Sequence, residues 1–333
     1  MKAAMGMETI VIALGGNAIR GTIEEQRAAV ERSCAQIARI IAEGYRVVLT
    51  HGNGPQVGNL LIQQEAAAQL VPPMPLDVCG AMTQGQLGYL IQQKLQEELA
   101  ELGLPRPVAT VITQVLVDER DPAFQEPTKP IGPFYDEARA EELRRQGYVI
   151  KKVANSERGW RRVVPSPEPV EILEEAAIRA LLEAGQIVIA CGGGGIPVVR
   201  IRRGGGEGEG GHLEGVAAVI DKDLASALLA IRLGAEVLLE LTDVEFVALN
   251  YGTPEQIDLH RLTVEEAKRY LREGHFPPGS MGPKVEAAIR FLEGGGRRAI
   301  ITSLERGYSA LLGEAGTEII PSDPSSKSDY HRS

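Results

Sequence analysis

Two early apolar runs end in glycine-rich turns. Leu14 is followed by Gly15-Gly16-Asn17, and Thr50 by His51-Gly52-Asn53-Gly54. A third turn, Gly192 to Gly195, closes a later apolar run. Turns that carry a strand into a helix aim backbone N–H groups outward, at the positive end of the helix dipole. Glycine lets an anion approach without interference from a Cβ. Asn17 and Asn53 either add side-chain donors or simply tolerate the turn geometry. One such turn is most often only structural. Two in neighbouring strand–helix units, with a third downstream, favour an anion site at the carboxyl edge of a sheet.

Phosphoryl transfer needs positive charge around the moving group and little covalent help from the protein. Three lysines sit in suitable contexts. Lys222 precedes Asp223 at the start of an expected helix, Lys284 follows Gly279-Ser280-Met281-Gly282-Pro283, and Lys129 lies in a proline-stiffened stretch between Pro127 and Pro133. A lone lysine is usually a solvated surface charge, and Asp223 reads equally as an ordinary first-turn acid or as an anchor for the ammonium groups. GxxxxGK[ST] is absent, and the first turn lacks GxGxxG, which argues against a P-loop enzyme and a Rossmann dehydrogenase. The expectation is an enzyme that moves a phosphoryl group between a nucleotide and a small anionic acceptor.

The elements around these residues follow a strand–turn–helix rhythm. A buried strand is expected over residues 9–14. A capping box, Thr22 with Glu25, opens a helix that Gly44 ends. A second strand spans 45–50, and Pro55 suits a first helical turn. Leu87, Leu90, Ile91, Leu95, Leu99 and Leu102 give helical spacing over 80–102, favouring a core-facing stripe over a dimer face. Further strands are expected at 108–117, 186–191, 236–241, 297–302 and 317–320, and helices at 172–184, 221–233, 264–273 and 284–292. Residues 118–169, rich in proline and charge and holding Trp160, break the rhythm and read as an inserted subdomain. Residues 204–211 read as an acidic surface loop, and 322–333 as a mobile tail. An α/β fold with a mainly parallel sheet follows.

The chain has 333 residues and a net charge of −10, against a nucleic-acid or anionic-membrane binder. Cys34, Cys79 and Cys191 show neither zinc spacing nor a disulfide framework, so a reducing cytoplasm is the expected setting. The histidines form no HxxxH pair, and no metal site built from protein side chains is visible. The apolar stretch at 10–14 is too short for a signal peptide or membrane span.

The stretches IALGGNAI, VVLTHGNGPQVG, PMPLDVCGAMTQGQLGY, TQVLVDERDPAFQEPTKPIGPFY, RGWRRVVPSP, ACGGGGIPV, AVIDKDLAS, LTDVEFVALNYG and GSMGPK resemble the carbamate kinase branch of the amino acid kinase family. The resemblance covers about residues 9–321 and implies a three-layer α/β/α sandwich with an eight-stranded, mainly parallel sheet. It implies a homodimer that interconverts ATP and carbamate with ADP and carbamoyl phosphate, using Mg²⁺ carried by the nucleotide. The N-terminal half would hold the acceptor and the C-terminal half the nucleotide, within one domain over 8–321. Gly15, Gly16, Asn17, Gly52, Asn53 and Gly54 would bind the phosphoryl group and acceptor, and Lys222, Asp223 and Lys284 would form the charge cluster. Thr242, Asp243, Val244, Tyr251, Met281 and Gly282 would lie along the nucleotide. Most amino acid kinases carry a lysine just before the first glycine pair. Here the strand reads Ile12-Ala13-Leu14. Lys129 is the matching source of charge in this branch, making the insert at 118–169 a catalytic lid. The rival readings are a related kinase with another acceptor, and a nucleotide-binding sensor without turnover.

Overall fold

The computed structural model describes residues 7–16, 19–152, 159–202 and 211–322. Asn17, the tail from 323 onward and all of the acidic loop but Gly211 lie outside them. The central sheet has eight strands: β1 (Thr9–Leu14), β2 (Arg46–His51), β3 (Val108–Thr110), β4 (Ile187–Ile189), β5 (Val237–Thr242), β6 (Arg261–Thr263), β7 (Arg298–Ser303) and β8 (Thr317–Ile320). Their spatial order is β6-β8-β7-β5-β1-β2-β4-β3. Every pair is parallel except β7 with β8.

Two apolar layers sandwich this sheet. On one face Ile10, Ile12 and Leu14 pack with helices α1 (Ile23–Ala42) and α3 (Leu76–Glu101). On the other, Val11 and Leu238 meet α4 (Glu175–Glu183), α5 (Lys222–Leu233), α6 (Val264–Arg272) and α7 (Met281–Glu293). Strands covered on both faces are apolar at almost every position, hence the continuous runs in the sequence. The Thr22–Glu25 capping box forms as expected. Leu87, Leu90, Ile91, Leu95 and Leu99 are buried, the core reading of that stripe, while Leu102 is exposed just past the helix end.

Three expectations shift. The run expected as one strand over 108–117 divides, because Gln84 of α3 captures both backbone groups of Thr113. Residues Gln114–Leu116 then join a separate four-stranded sheet beside Ile196–Arg202. The helix expected from 172 starts at Glu175, since Glu171–Ile172 pairs in that same sheet. Helix α7 begins at Met281, three residues earlier than expected, which puts Lys284 inside its first turn.

Within residues 118–169, a three-stranded sheet (Lys129–Tyr135, Ile150–Lys152, Trp160–Val164) and the helix Glu137–Arg145 stand apart from the main sheet. This unit has its own small core of Ala140, Leu143 and Ile150 beneath Tyr135 and Trp160. Ile131 and Val164 seat it on Val57 and Leu76, next to the carboxyl edge of the sheet.

Candidate active site

The pocket opens where β1, β2 and β5 end. The Gly15 N–H donates to Leu241 O at 2.8 Å, and the Gly52 N–H to Leu14 O at 2.9 Å. The two turns lie against each other with no room for a side chain: a Cβ on Gly52 would sit 2.7 Å from Gly16 N and Cα. Helix α2 (Gly54–Ala67) starts here with Pro55 in its first turn, so its free N–H groups face the cavity edge. Asn53 spends its amide on Thr83 Oγ1 (2.8 Å), and Thr83 donates to Gly80 O (2.7 Å). The third glycine turn adopts left-handed backbone at Gly193 (φ 67°), and a Cβ there would also strike the Asn53 amide. Gln84 holds that turn through Gly192 O at 3.0 Å.

The opposite wall is charged. Asp221 caps α5, its Oδ1 accepting from the Asp223 N–H at 2.9 Å. Asp223 takes two hydrogen bonds from Lys284 Nζ, at 3.0 and 3.1 Å, and a close contact from Lys222 Nζ. Lys129 reaches across from the inserted unit to Asp221 Oδ2 at 2.8 Å. Burial alone would raise the Asp223 carboxyl. The two ammonium groups outweigh it and hold the acid well below the usual range. Burial would likewise lower Lys284, but the Asp223 carboxylate beside it raises it above an ordinary lysine. Lys222 goes the other way: burial presses it down, Asp223 resists, and the Lys284 charge adds to the fall. His51, fully enclosed behind the second turn, is lowered to about 4, chiefly by burial, and so stands neutral.

One cavity of about 380 Å³ gathers most of the residues singled out in the sequence. Gly15, Gly16, Gly52, Asn53 and Gly54 line one side. Lys129, Lys222, Asp223 and Lys284 line the other, with Thr242, Asp243, Val244, Tyr251 and Met281 along the far end. Gly282 is not on the wall. It is buried behind it, its N–H donating to Pro277 O at 2.9 Å. Sequence reasoning passed over Asp221, which the capping position before α5 announces, and Glu240, a lone acid in an otherwise apolar strand. It also passed over Thr83 and Gln84, for which no local pattern gives a signal. Among the described residues no three acid, histidine or cysteine side chains converge as a metal site. Lysines already engage Asp221 and Asp223.

A pocket with glycine turns on one side and ion-paired lysines on the other suits an anion that moves between two partners. The comparisons agree. The amino acid kinase family profile matches residues 8–303. The carbamate kinase of Pyrococcus horikoshii is 52% identical over 322 residues, 94% of this chain and 99% of that protein. The carbamate kinase of Halobacterium salinarum is 49% identical over 323 residues, 95% of this chain and 100% of that one. The solved structure of carbamate kinase from Giardia lamblia bound to AMP-PNP matches with a TM-score of 0.86 at 44% identity, covering 95% of this chain and 99% of that one. The chain therefore belongs to the amino acid kinase family, in its carbamate kinase branch.

Proposed function

We propose that this protein is a carbamate kinase, reversibly converting ATP and carbamate to ADP and carbamoyl phosphate, and that it works toward ATP in arginine breakdown. The observation that carries this reading is the facing of glycine turns and paired lysines across one cavity, in a chain about half identical to carbamate kinases over nearly its whole length.

The reaction is a direct in-line transfer. A carbamate oxygen attacks the terminal phosphorus of ATP as the bond to the leaving ADP oxygen breaks, and in reverse ADP attacks carbamoyl phosphate. Carbamate is already an anion, so no general base is required. Gly16, Asn53 and Gly54 offer backbone N–H groups to the acceptor and the transferring group. Gly15 and Gly52 keep the two turns clear of side chains while their own N–H groups tie the turns to Leu241 and Leu14, and Asn17 belongs to the same binding set in this reading. Lys222 and Lys284, aligned by Asp223, face the equatorial oxygens, where such donors are worth ~10²–10³ in rate each. The nucleotide lies along Thr242, Asp243, Val244, Tyr251 and Met281, with Gly282 behind that wall. Mg²⁺ enters as part of the nucleotide substrate and neutralises phosphate charge there.

The unit within 118–169 is a lid, and Lys129 is its catalytic cation, freed from Asp221 as the phosphoryl group arrives. The assay is ATP formation from ADP and carbamoyl phosphate. Lys129→Ala is expected to lose about 10²-fold in turnover with little change in nucleotide affinity. Near-normal turnover would sink the lid assignment. In the ATP-consuming direction, ADP release with glutamate, aspartate, acetylglutamate or UMP but not carbamate would sink the acceptor. The protein is a cytoplasmic homodimer in this reading. Val78, Met82 and Tyr89 support it as an exposed apolar stripe on the outer side of α3. Sedimentation of Met82→Glu as a monomer is the expected outcome.

A further inference from the structure

Strand β5 reads Val-Leu-Leu-Glu-Leu-Thr, with a single acid among buried neighbours. Glu240 is 1% exposed, and neither carboxyl oxygen has a hydrogen-bond partner. In register beside it stand Ala13 of β1 and Ile301 of β7, both apolar. The charged groups around it come from the helices above: Lys222 and Asp223 of α5, Asp221 at its cap, and Lys284 of α7. Lys284 Nζ is 3.6 Å from Glu240 Oε2, too long for a hydrogen bond, while both of its hydrogen bonds go to Asp223.

An ionised carboxylate here would be desolvated with its acceptor sites empty, a state that buried acids avoid by keeping their proton. Burial, and next the Asp223 charge, raise Glu240 well above the carboxylate range against the pull of Lys284 and Lys222. With Glu240 neutral, Lys222, Asp223 and Lys284 together present one net positive charge to the pocket. With it ionised, they present none.

We propose that Glu240 is a further positioning residue of this site, an acid that stands uncharged beneath Lys284 in the working enzyme and, once ionised, draws the Lys284 ammonium off the phosphoryl group and onto β5. The step is a proton transfer: the carboxyl O–H breaks, the proton passes to a solvent base, and the carboxylate pairs with Lys284. This rests on Lys284 facing the transferring group, as proposed above. It deepens that reading by giving the site a built-in sensitivity to alkaline pH.

The experiment pairs infrared difference spectroscopy with turnover on the full chain and on Glu240→Gln. Without substrate, the wild type is expected to show a protonated-carboxyl band at neutral pH that is absent from the variant and disappears on alkaline titration. Over the same titration the ratio of wild-type to variant turnover, with ADP and carbamoyl phosphate, falls about tenfold. Absence of the band at neutral pH, or turnover profiles that superimpose from neutral to alkaline pH, overturns the proposal. Should Gln fail to fold, Glu240→Leu serves the same comparison. If neither protein makes ATP at any pH, the proposed function falls, and the band still decides whether Glu240 stands uncharged.

Discussion

The two sides of the pocket are made of different materials. Among the described residues the glycine side holds no ion pair. Its donors are backbone N–H groups, a Cβ on Gly52 would stand 2.7 Å from Gly16, and His51 behind it is neutral. The lysine side is all charge, with Asp223 shared between two ammonium groups at almost no exposure. Both would hold the same anion. A side built from shape fails when volume is added. A side built from charge fails when charge is removed.

The largest effect is therefore expected on the charged side. Lys284→Met leaves Asp223 buried with one cation, and turnover should fall about 10³-fold. Unfolding should also become easier by about 3 kcal/mol, the cost of breaking a buried pair from one end. Steady-state kinetics and urea denaturation on one preparation check both. Wild-type stability in this variant would show that the cluster is not coupled to the fold.

His51 tests the neutral side next. Its ordinary value is 6.5 and its folded value about 4, so between these the unfolded chain binds the extra proton. Its contribution to stability is full above pH 6.5 and is lost as pH falls toward 4, about 3 kcal/mol in all. His51→Gln should flatten that part of the stability profile. A variant that keeps the wild-type acid slope would mean that His51 is not neutral in the fold.

Gly52→Ala adds one methyl where Gly16 backbone already stands. Turnover is expected to drop up to about 10²-fold through misplacement, with a stability cost of about 1–3 kcal/mol from overpacking. Charge is untouched, so the pH profile of turnover should keep its shape. A changed shape would blur the distinction between the two sides. The smallest effect is on stability in Lys129→Ala. That side chain is 35% exposed and its bridge to Asp221 spans separate units, so the loss should stay below about 1 kcal/mol by denaturant titration. Any large loss of turnover there is then chemical.

Much of the fold was legible because buried parallel strands leave continuous apolar runs and their turns leave glycines. The Thr22–Glu25 box and the leucine stripe of α3 are local patterns with local causes. The break after Thr110 was not legible, since a side chain from α3, Gln84, ends the strand. The glycine turns, Lys129, Lys222, Asp223 and Lys284 stood out by type and context, and Thr242, Asp243, Val244, Tyr251 and Met281 only through the family resemblance, whereas their grouping into one cavity could not be seen. Thr83 gave no sign, being an ordinary helix residue until Asn53 is placed against it.

The glycine turns and the strand–helix rhythm were therefore readable from sequence alone, as was the family through its motif stretches. All of these are carried by residue type and short spacing. Tertiary structure alone decided that Lys129, Asp221, Lys222, Asp223 and Lys284 share one wall, and that Glu240 lies beneath them without a hydrogen-bond partner. The reason is distance along the chain. Lys129 and Asp221 are 92 residues apart, and Lys284 and Asp223 are 61 apart. The packing of the helices on the sheet sets their contacts and burial, and burial sets their charges.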